Sequence, residues 1–312
     1  MILSVLIPVY NEKEYIHNLI GSLLSNLPSE SEVFFIDGNS TDGTIEVLMD
    51  YSINDERIHF VMNELRYVSH GFNKAFPLTT GKYVCLLGAH AEYSKSFFEA
   101  GLNNLDDDSC DVVGGPLIQI GKSKWGEAIA NAMSSKFGVG NTEFRTESKK
   151  KYVDSVAFAM YKREVFNAAG LLDQSLIRNQ DDELHYRLNS QGFRILMVPE
   201  MACKYYVREN LSQLFSQYYQ YGLYKPMVLK KVKSSMRIRH LIPFFFVIYL
   251  ILLPIVTFVP VFVLPLVVYI LLVGHFAYHN PLSWLQKGYS IFVFPTLHIS
   301  YGLGFMLGLF KK

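Results

Sequence analysis

Acidic and imidazole side chains that follow apolar runs are the residues through which this sequence could do chemistry. Asp37 ends the apolar run 33–36 and opens the turn Asp37-Gly38-Asn39-Ser40. A carboxylate at the end of a buried strand can accept hydrogen bonds from a uracil-like base or from ribose hydroxyls. The same residues also suit a plain turn, since Asp, Gly and Asn all favour one. Pro8-Val9-Tyr10-Asn11-Glu12 closes the first apolar run, where backbone amides and a helix N-terminus can face an anionic ligand. His90, in Gly88-Ala89-His90-Ala91-Glu92, follows the run 83–87; an imidazole there can ligate Mn²⁺, hydrogen-bond a substrate or close a turn. Asp181 follows a polar loop and opens Asp181-Asp182-Glu183-Leu184. A carboxylate so placed can project into a cleft as a general base, or it can cap the helix while Asp182 and Glu183 favour the dipole. Asp42 reads as the cap of the helix that follows it, with Thr41 the other candidate.

These residues need elements to hold them. Residues 2–9 form a continuous apolar run ended by a turn, as a central parallel strand requires. Residues 12–27 carry Tyr15, Ile16, Leu19, Ile20, Leu23 and Leu24 at helical spacing. Strands are expected at 33–36, 58–62 and 83–87, with helices at 44–51 and 68–78 between them. Alternating strands and helices at this spacing predict an α/β fold, a doubly wound and mostly parallel sheet. Ligands in such sheets bind beyond the carboxyl ends of the strands. Further along, strands are expected at 112–117, 153–161 and 195–198, helices at 125–135, 162–168 and 181–189, and a mobile Gly- and charge-rich loop at 137–151.

Composition divides the chain. Hydrophobic residues make up 50% of its 312 residues and the net charge is +1, which gives no electrostatic case for nucleic acid. Charged residues run regularly to His240 and almost vanish afterwards. Lys225, Lys230, Lys231, Lys233, Arg237 and Arg239 cluster just before that boundary, as on the cytoplasmic side of a membrane anchor facing anionic lipid. The reading is a domain over 1–210, amphipathic basic interfacial helices over 211–240, and a membrane domain over 241–312. Residues 241–278 suffice for two spans with a turn near 257–260, and 289–310 for a third. Cys85, Cys110 and Cys203 are too few and too scattered for a metal cluster and suit a reducing compartment. The apolar N-terminus lacks the basic start of a signal peptide and reads as a buried first strand.

Three segments carry a resemblance. Ile7-Pro8-Val9-Tyr10-Asn11-Glu12, then Ile36-Asp37-Gly38-Asn39-Ser40-Thr41-Asp42-Gly43-Thr44, then Arg178-Asn179-Gln180-Asp181-Asp182-Glu183-Leu184 resemble the motifs of the inverting glycosyltransferases of family 2, which have the GT-A fold. Gly138-Val139-Gly140-Asn141, Arg178-Asn179-Gln180-Asp181 and Tyr301-Gly302-Leu303-Gly304-Phe305 resemble the succinoglycan-type subgroup, which acts on lipid-linked sugars. The resemblance implies a nucleotide-sugar donor, UDP- or GDP-linked, held by Pro8, Tyr10, Glu12, Asp37, Asn73 and Ala89. It implies a polyprenyl-phosphate-linked acceptor met by Arg178, Gln180, Asp182 and Tyr221, with Asp181 as the base. It also implies a divalent cation, Mn²⁺ or Mg²⁺, at an Asp-x-Asp element that here reads Gly88-Ala89-His90, leaving His90 as the ligand. The implied location is the cell membrane, multi-pass, with the catalytic domain cytoplasmic.

Gln217-Tyr218-Tyr219-Gln220-Tyr221 stands where processive relatives carry Gln-x-x-Arg-Trp. Without the Arg and Trp, an extruding polymer synthase is disfavoured, and three spans would serve one only through self-association. Tyr219 or Tyr221 can instead stack on an acceptor sugar or anchor at the lipid surface. Arg145, Lys149, Lys150 and Lys151 suit either a lipid diphosphate or a solvated loop. The altered metal element also admits a different class of function: a catalytically silent, membrane-tethered nucleotide-sugar-binding partner of another transferase.

Overall fold

The computed structural model describes residues 1–256 and 258–311. In chain order the regular elements are β1 (Leu3–Val9), α1 (Lys13–Asn26), β2 (Ser31–Asp37), α2 (Thr44–Asn54), β3 (Ile58–Met62), α3 (Val68–Ala75), β4 (Tyr83–Leu86), β5 (Ala91–Glu92), α4 (Lys95–Asp106), β6 (Val112–Gly115) and β7 (Leu117–Ile120). They continue as α5 (Lys124–Met133), α6 (Lys136–Val139), α7 (Glu143–Thr146), β8 (Lys151–Tyr152), β9 (Ala157–Lys162), α8 (Glu164–Ala169), α9 (Gln180–Ser190), β10 (Ile195–Met197), β11 (Cys203–Tyr206), α10 (Leu211–Lys231), α11 (Ile238–Val256), α12 (Leu264–Tyr278) and α13 (Trp284–Gly308). The chain divides into two compact units, residues 1–118 with 147–205, and residues 119–146 with 206–312.

The first unit is built on an eight-stranded sheet in the order β3-β2-β1-β4-β9-β6-β10-β8. β1 pairs parallel with β2 and β4, and β2 with β3, so the expected βαβ winding is present. Leu3, Val5, Leu6 and Ile7 are fully buried, as a strand covered by helices on both faces must be. The register sets Val9 opposite Asp37 and Asp37 opposite Met62. The turns after β1, β2 and β3 therefore leave the sheet at one level. α1 packs Ile16, Leu19, Ile20 and Leu23 inward at helical spacing.

Two expectations change here. The strand expected at 153–161 is β9, which starts at Ala157 and runs antiparallel between β4 and β6, so the parallel order is interrupted at mid-sheet. The expected mobile loop at 137–151 contains the one-turn helices α6 and α7 and reaches β8.

The second unit is helical. Ile238–Ile255, Pro260–Tyr278 and Trp284–Gly308 are long and apolar enough to cross a membrane. The third begins earlier than the sequence suggests, at a capping box in which Ser283 and Gln286 satisfy each other's amide and side-chain groups. The expected turn at 257–260 falls partly on Thr257, which lies outside the described residues. α10, expected as a surface helix, is also a packing partner. A Cβ on Gly304 would stand 2.1 Å from the Tyr219 carbonyl oxygen, and one on Gly308 would stand 2.3 Å from that of Leu223. Glycines four residues apart let two helix backbones touch.

Candidate active site at the carboxyl edge of the sheet

The site begins with the loop after β1. Asn11 takes a left-handed backbone, φ 54°, a region Asn tolerates better than most residues. Its amide donates to Ser40 Oγ at 2.8 Å, and its side-chain oxygen accepts the Thr41 amide at 2.9 Å. The next amide, Glu12 N, donates to Thr44 Oγ1 at 2.8 Å, and Lys13 N to Asp42 Oδ2 at 3.1 Å. The turns after β1 and β2 are thus stitched into one ledge.

Asp42 refines the capping expectation. The N-cap position of α2 is Gly43, and Asp42 accepts the amide and hydroxyl of Thr44 from one residue further out. Burial opposes ionisation of Asp42, yet hydrogen bonds from Thr44 and Lys13 hold its carboxyl below the usual carboxylate range.

Asp37 is completely buried at the end of β2. Its two oxygens accept from Ser40, one from the amide at 2.7 Å and one from the hydroxyl at 2.6 Å. A buried carboxylate needs such donors, and Ser40 holds it facing the ledge. Tyr10 is exposed, and the Arg66 guanidinium lies over its ring, 4.4 Å from the centroid. Arg66 itself has φ 67°, a strained backbone for such a side chain. Pro8, paired in register with Ile36, completes this strand end.

His90 comes to the same place from β4. Its Nε2 stands 2.9 Å from Glu12 Oε1, and its ring meets Tyr15 edge-on at 6.2 Å. Glu12 is 6% exposed, and its other oxygen, Oε2, is buried without a hydrogen-bond partner. A buried carboxylate oxygen without a donor is costly, by about 1–3 kcal/mol or more for a charged group, so this atom is poised for a cation or a donor that arrives with the ligand. A carboxylate beside an imidazole suits Mn²⁺. Among the described residues no three His, Cys, Asp or Glu side chains gather into a metal cluster. Glu12 and His90 therefore fit a cation whose remaining ligands come from a bound diphosphate, rather than a site made by protein alone.

The missing acid at position 88 has a structural counterpart. A Cβ on Gly88 would stand 2.6 Å from Cε1 of Phe158, whose ring fills that space. Phe158 holds a left-handed backbone, φ 50°, where β9 departs from regular register with β6. Tyr93 closes the other side, its hydroxyl accepting the Gly88 amide at 2.8 Å and donating to the Gly88 carbonyl at 3.0 Å. Ala89, half-buried, lies between this clamp and His90.

Asp181 stands exposed at the second position of α9, and the N-cap is Asn179 in a left-handed turn, φ 61°. The helix is anchored from below. Glu183, buried, receives Arg187 Nε at 2.8 Å and Nη2 at 3.0 Å, and Arg187 also donates to the carbonyls of Ala169, Gly170 and Leu171. His185 is fully buried between Tyr161, 2.8 Å from Nε2, and Ser155, 3.2 Å from Nδ1. Burial pushes the His185 imidazole down to about 4, against the opposing pull of Asp182. Burial, then the Asp181 charge, raises the Tyr161 phenol well above its ordinary value. Asp181 is thus within electrostatic reach of this buried Tyr–His pair.

The loop leading to α9 is tied to the first half of the sheet. Asn73 donates to the Leu172 carbonyl at 2.8 Å and accepts the Leu172 amide at 3.1 Å, while Ser69 Oγ donates to Leu176 O at 3.3 Å. Asn73, expected to touch the donor, thus has its amide engaged in holding that loop. Gln180 has a buried Oε1 without a partner, Arg178 is exposed, and Asp182 is half-buried. Tyr221 lies in the second unit, on α10, with Gln217 Nε2 donating to its hydroxyl at 3.3 Å. The basic group is divided: Arg145 belongs to the second unit, Lys150 donates to Asn104 at 2.9 Å, and Lys151 pairs with Glu147 at 2.6 Å. The structure therefore brings Glu12, Asp37 and His90 to one sheet edge and ties the loop before Asp181 to α3, while Tyr221 and Arg145 belong to the second unit. Arg66, Phe158, Tyr161 and His185 went unmarked in the sequence reading; only His185, four residues after Asp181, carried a periodic signal.

Comparison with known proteins bears on the family and the fold. The family model described as glycosyl transferase family 2 matches residues 4–170. The succinoglycan biosynthesis protein ExoA of Rhizobium meliloti is 32% identical over 77% of this chain and 73% of its own length. A dolichyl N-acetyl-alpha-D-glucosaminyl phosphate 3-beta-D-2,3-diacetamido-2,3-dideoxy-beta-D-glucuronosyltransferase of Methanococcus voltae is 26% identical over 73% of this chain and 74% of its own. Among solved structures, the mannosyltransferase PcManGT of Pyrobaculum calidifontis, in complex with GDP-Man and Mn²⁺, superposes with a TM-score of 0.68 at 16% identity. That superposition covers 99% of this chain and 87% of the other.

Proposed function

The chain belongs to glycosyltransferase family 2, with a GT-A-like fold, and on that basis we propose that it transfers a sugar from a UDP- or GDP-sugar to a lipid-linked acceptor, inverting the anomeric centre. The observation that carries this is the convergence of Asp37, Glu12 and His90 at the carboxyl edge of a parallel sheet. The nucleoside lies on the Asn11–Ser40 ledge, where Asp37 accepts from the ribose or base and Tyr10 with Arg66 forms a flat cationic wall. The diphosphate lies towards Glu12 and His90. A divalent cation held there by these two residues would neutralise charge building on the departing diphosphate. An acceptor sugar hydroxyl carried on a lipid phosphate suits the name of the methanococcal relative and the three apolar helices.

Asp181 acts as the base. Its carboxylate takes the proton from the acceptor hydroxyl as that oxygen attacks the anomeric carbon, and the bond from that carbon to the diphosphate breaks. One carboxylate and one backside attack give inversion. Gln180, Arg178 and Asp182 flank the acceptor. Arg187 and Glu183 keep α9, and hence Asp181, at a fixed height.

The Gly88–Phe158 clamp favours one rival reading, a nucleotide-sugar-binding partner that performs no transfer. Membranes holding the full chain, supplied with a radiolabelled panel of UDP- and GDP-sugars and polyprenyl phosphate or its glycosylated forms, separate the two. Label appearing in the lipid fraction supports transfer. Saturable donor binding with no transfer to any acceptor supports the partner.

A further inference from the structure

Helices long enough to span a membrane need not do so, and here their mutual packing decides. Everything below lies within the second unit. α10 and α13 run parallel, because Gly304 abuts Tyr219 and Gly308 abuts Leu223, four residues on in both helices. At the end of this pair, Lys230 Nζ donates to the Lys311 carbonyl at 3.2 Å, and the Lys311 ammonium sits 3.8 Å from the Tyr224 ring centroid. Lys311 thus lies beside the basic segment from which α11 departs.

α11 and α12 confirm the arrangement. The first half of α11 contacts the end of α13: Phe244 meets Phe305 at 5.3 Å, and a Cβ on Gly302 would stand 2.2 Å from the Pro243 carbonyl oxygen. α12 and the residues just after it contact the middle and start of α13, with Tyr269 and His298 2.9 Å apart and Asn280 donating to Ser290 at 3.2 Å. α11 and α12 hold each other as a hairpin through Phe246 on Tyr269 at 4.3 Å and through the Tyr249 hydroxyl donating to Phe262 O at 2.8 Å. Three successive full spans would leave the start of α11 and the end of α13 on opposite faces, about 30 Å apart. Instead Pro243 and Phe244, in the first two turns of α11, touch Gly302 and Phe305, in the last two turns of α13.

The hairpin tip has a second property. Ile255, Phe258 and Val261 are 71%, 89% and 62% exposed, and no charged residue or histidine occurs from Leu241 to Gly274. A loop emerging into water on the far side would be expected to carry charge, whereas this one has none. Val247 of α11 still meets Gly302, and Tyr269 of α12 still meets His298, so about nine residues of α11 and about five of α12 lie past these contacts, roughly 13 Å and 8 Å at the α-helical rise and short of the hydrocarbon core.

We propose that the second unit enters the membrane from one face only: the α11–α12 hairpin is a re-entrant wedge whose tip ends in acyl chains, and α13 lies beside α10 along that same face. Its partner is the lipid of a single leaflet, with Lys230, Lys231, Lys233 and Arg237 meeting the headgroups. Lys311 then shares a side with this basic segment. The inference does not depend on glycosyl transfer.

Single-cysteine variants of the full chain in sealed, oriented membrane vesicles test it. The native Cys85, Cys110 and Cys203 are buried and give a low background. With a membrane-impermeant maleimide, Lys233→Cys and Lys311→Cys should label from the same side. Phe258→Cys should label from neither side until detergent is added. Labelling of Lys311→Cys only from the side opposite Lys233→Cys overturns the proposal, as does labelling of Phe258→Cys from the far side. Where a cysteine variant does not accumulate, protease digestion of a C-terminal epitope tag gives the same reading: loss from the face of Lys233 supports one-sided entry, and protection there overturns it.

Discussion

At the residue scale the site is a matter of which carboxylates have partners. Asp37 has two donors from Ser40, while Glu12 has His90 on one oxygen and nothing on the other. That asymmetry makes Glu12 the residue through which a cation and the diphosphate would be felt. Glu12→Gln and His90→Ala should each raise the Mn²⁺ concentration for half-maximal transfer by about tenfold or more, measured by titrating Mn²⁺ at saturating donor; an unchanged Mn²⁺ dependence removes the cation from this pair. Glu12, Asp37, His90 and Asp181 were legible in the sequence because each follows an apolar run or opens a polar helix start. Phe158 was not, since a strained aromatic filling the space of a missing acid leaves no periodic trace. The partnership of Asn73 with Leu172, across 99 positions, was equally invisible.

At the scale of elements, α9 is the helix whose placement matters most, and a buried neutral histidine holds it. The His185 pKa falls from its ordinary value near 6.5 to about 4 on folding. The unfolded chain therefore binds a proton first as pH drops. Stability contributed by the neutral imidazole is full above about pH 6.5 and is lost progressively towards pH 4, by up to about 3 kcal/mol. Denaturant unfolding of the detergent-solubilised chain across that range should show the loss, and His185→Gln should flatten it. The α10–α13 contact carries its own prediction. Gly304→Val places side-chain atoms where the Tyr219 carbonyl already stands, so thermal unfolding in detergent should occur several degrees lower, for a cost of about 1–3 kcal/mol or more. Gly274→Ala, with open space around it, should leave the midpoint unchanged. The parallel strands β1 to β4 were legible from their apolar runs and spacing. The direction of β9 was not, because a period of two is the same whichever way a strand runs.

For the whole molecule, sequence composition located the boundary near His240 and the three apolar helices, but it could not give their mutual order. Parity depends on which helix ends meet, and Gly302, Gly304 and Gly308 carry that information as close contacts rather than as hydropathy. The two units also divide the candidate residues: Glu12, Asp37, His90 and Asp181 belong to the first, Tyr221 and the three long apolar helices to the second. Glycosidic bond formation by the first unit, with Asp181 as base, is what we propose. Its most direct test is the full-length Asp181→Asn protein in membranes, assayed for radiolabelled sugar transfer to lipid and, separately, for binding of the same nucleotide sugar. Transfer should fall by about 10²- to 10⁴-fold with donor affinity unchanged. Transfer at the wild-type rate in that variant would contradict it.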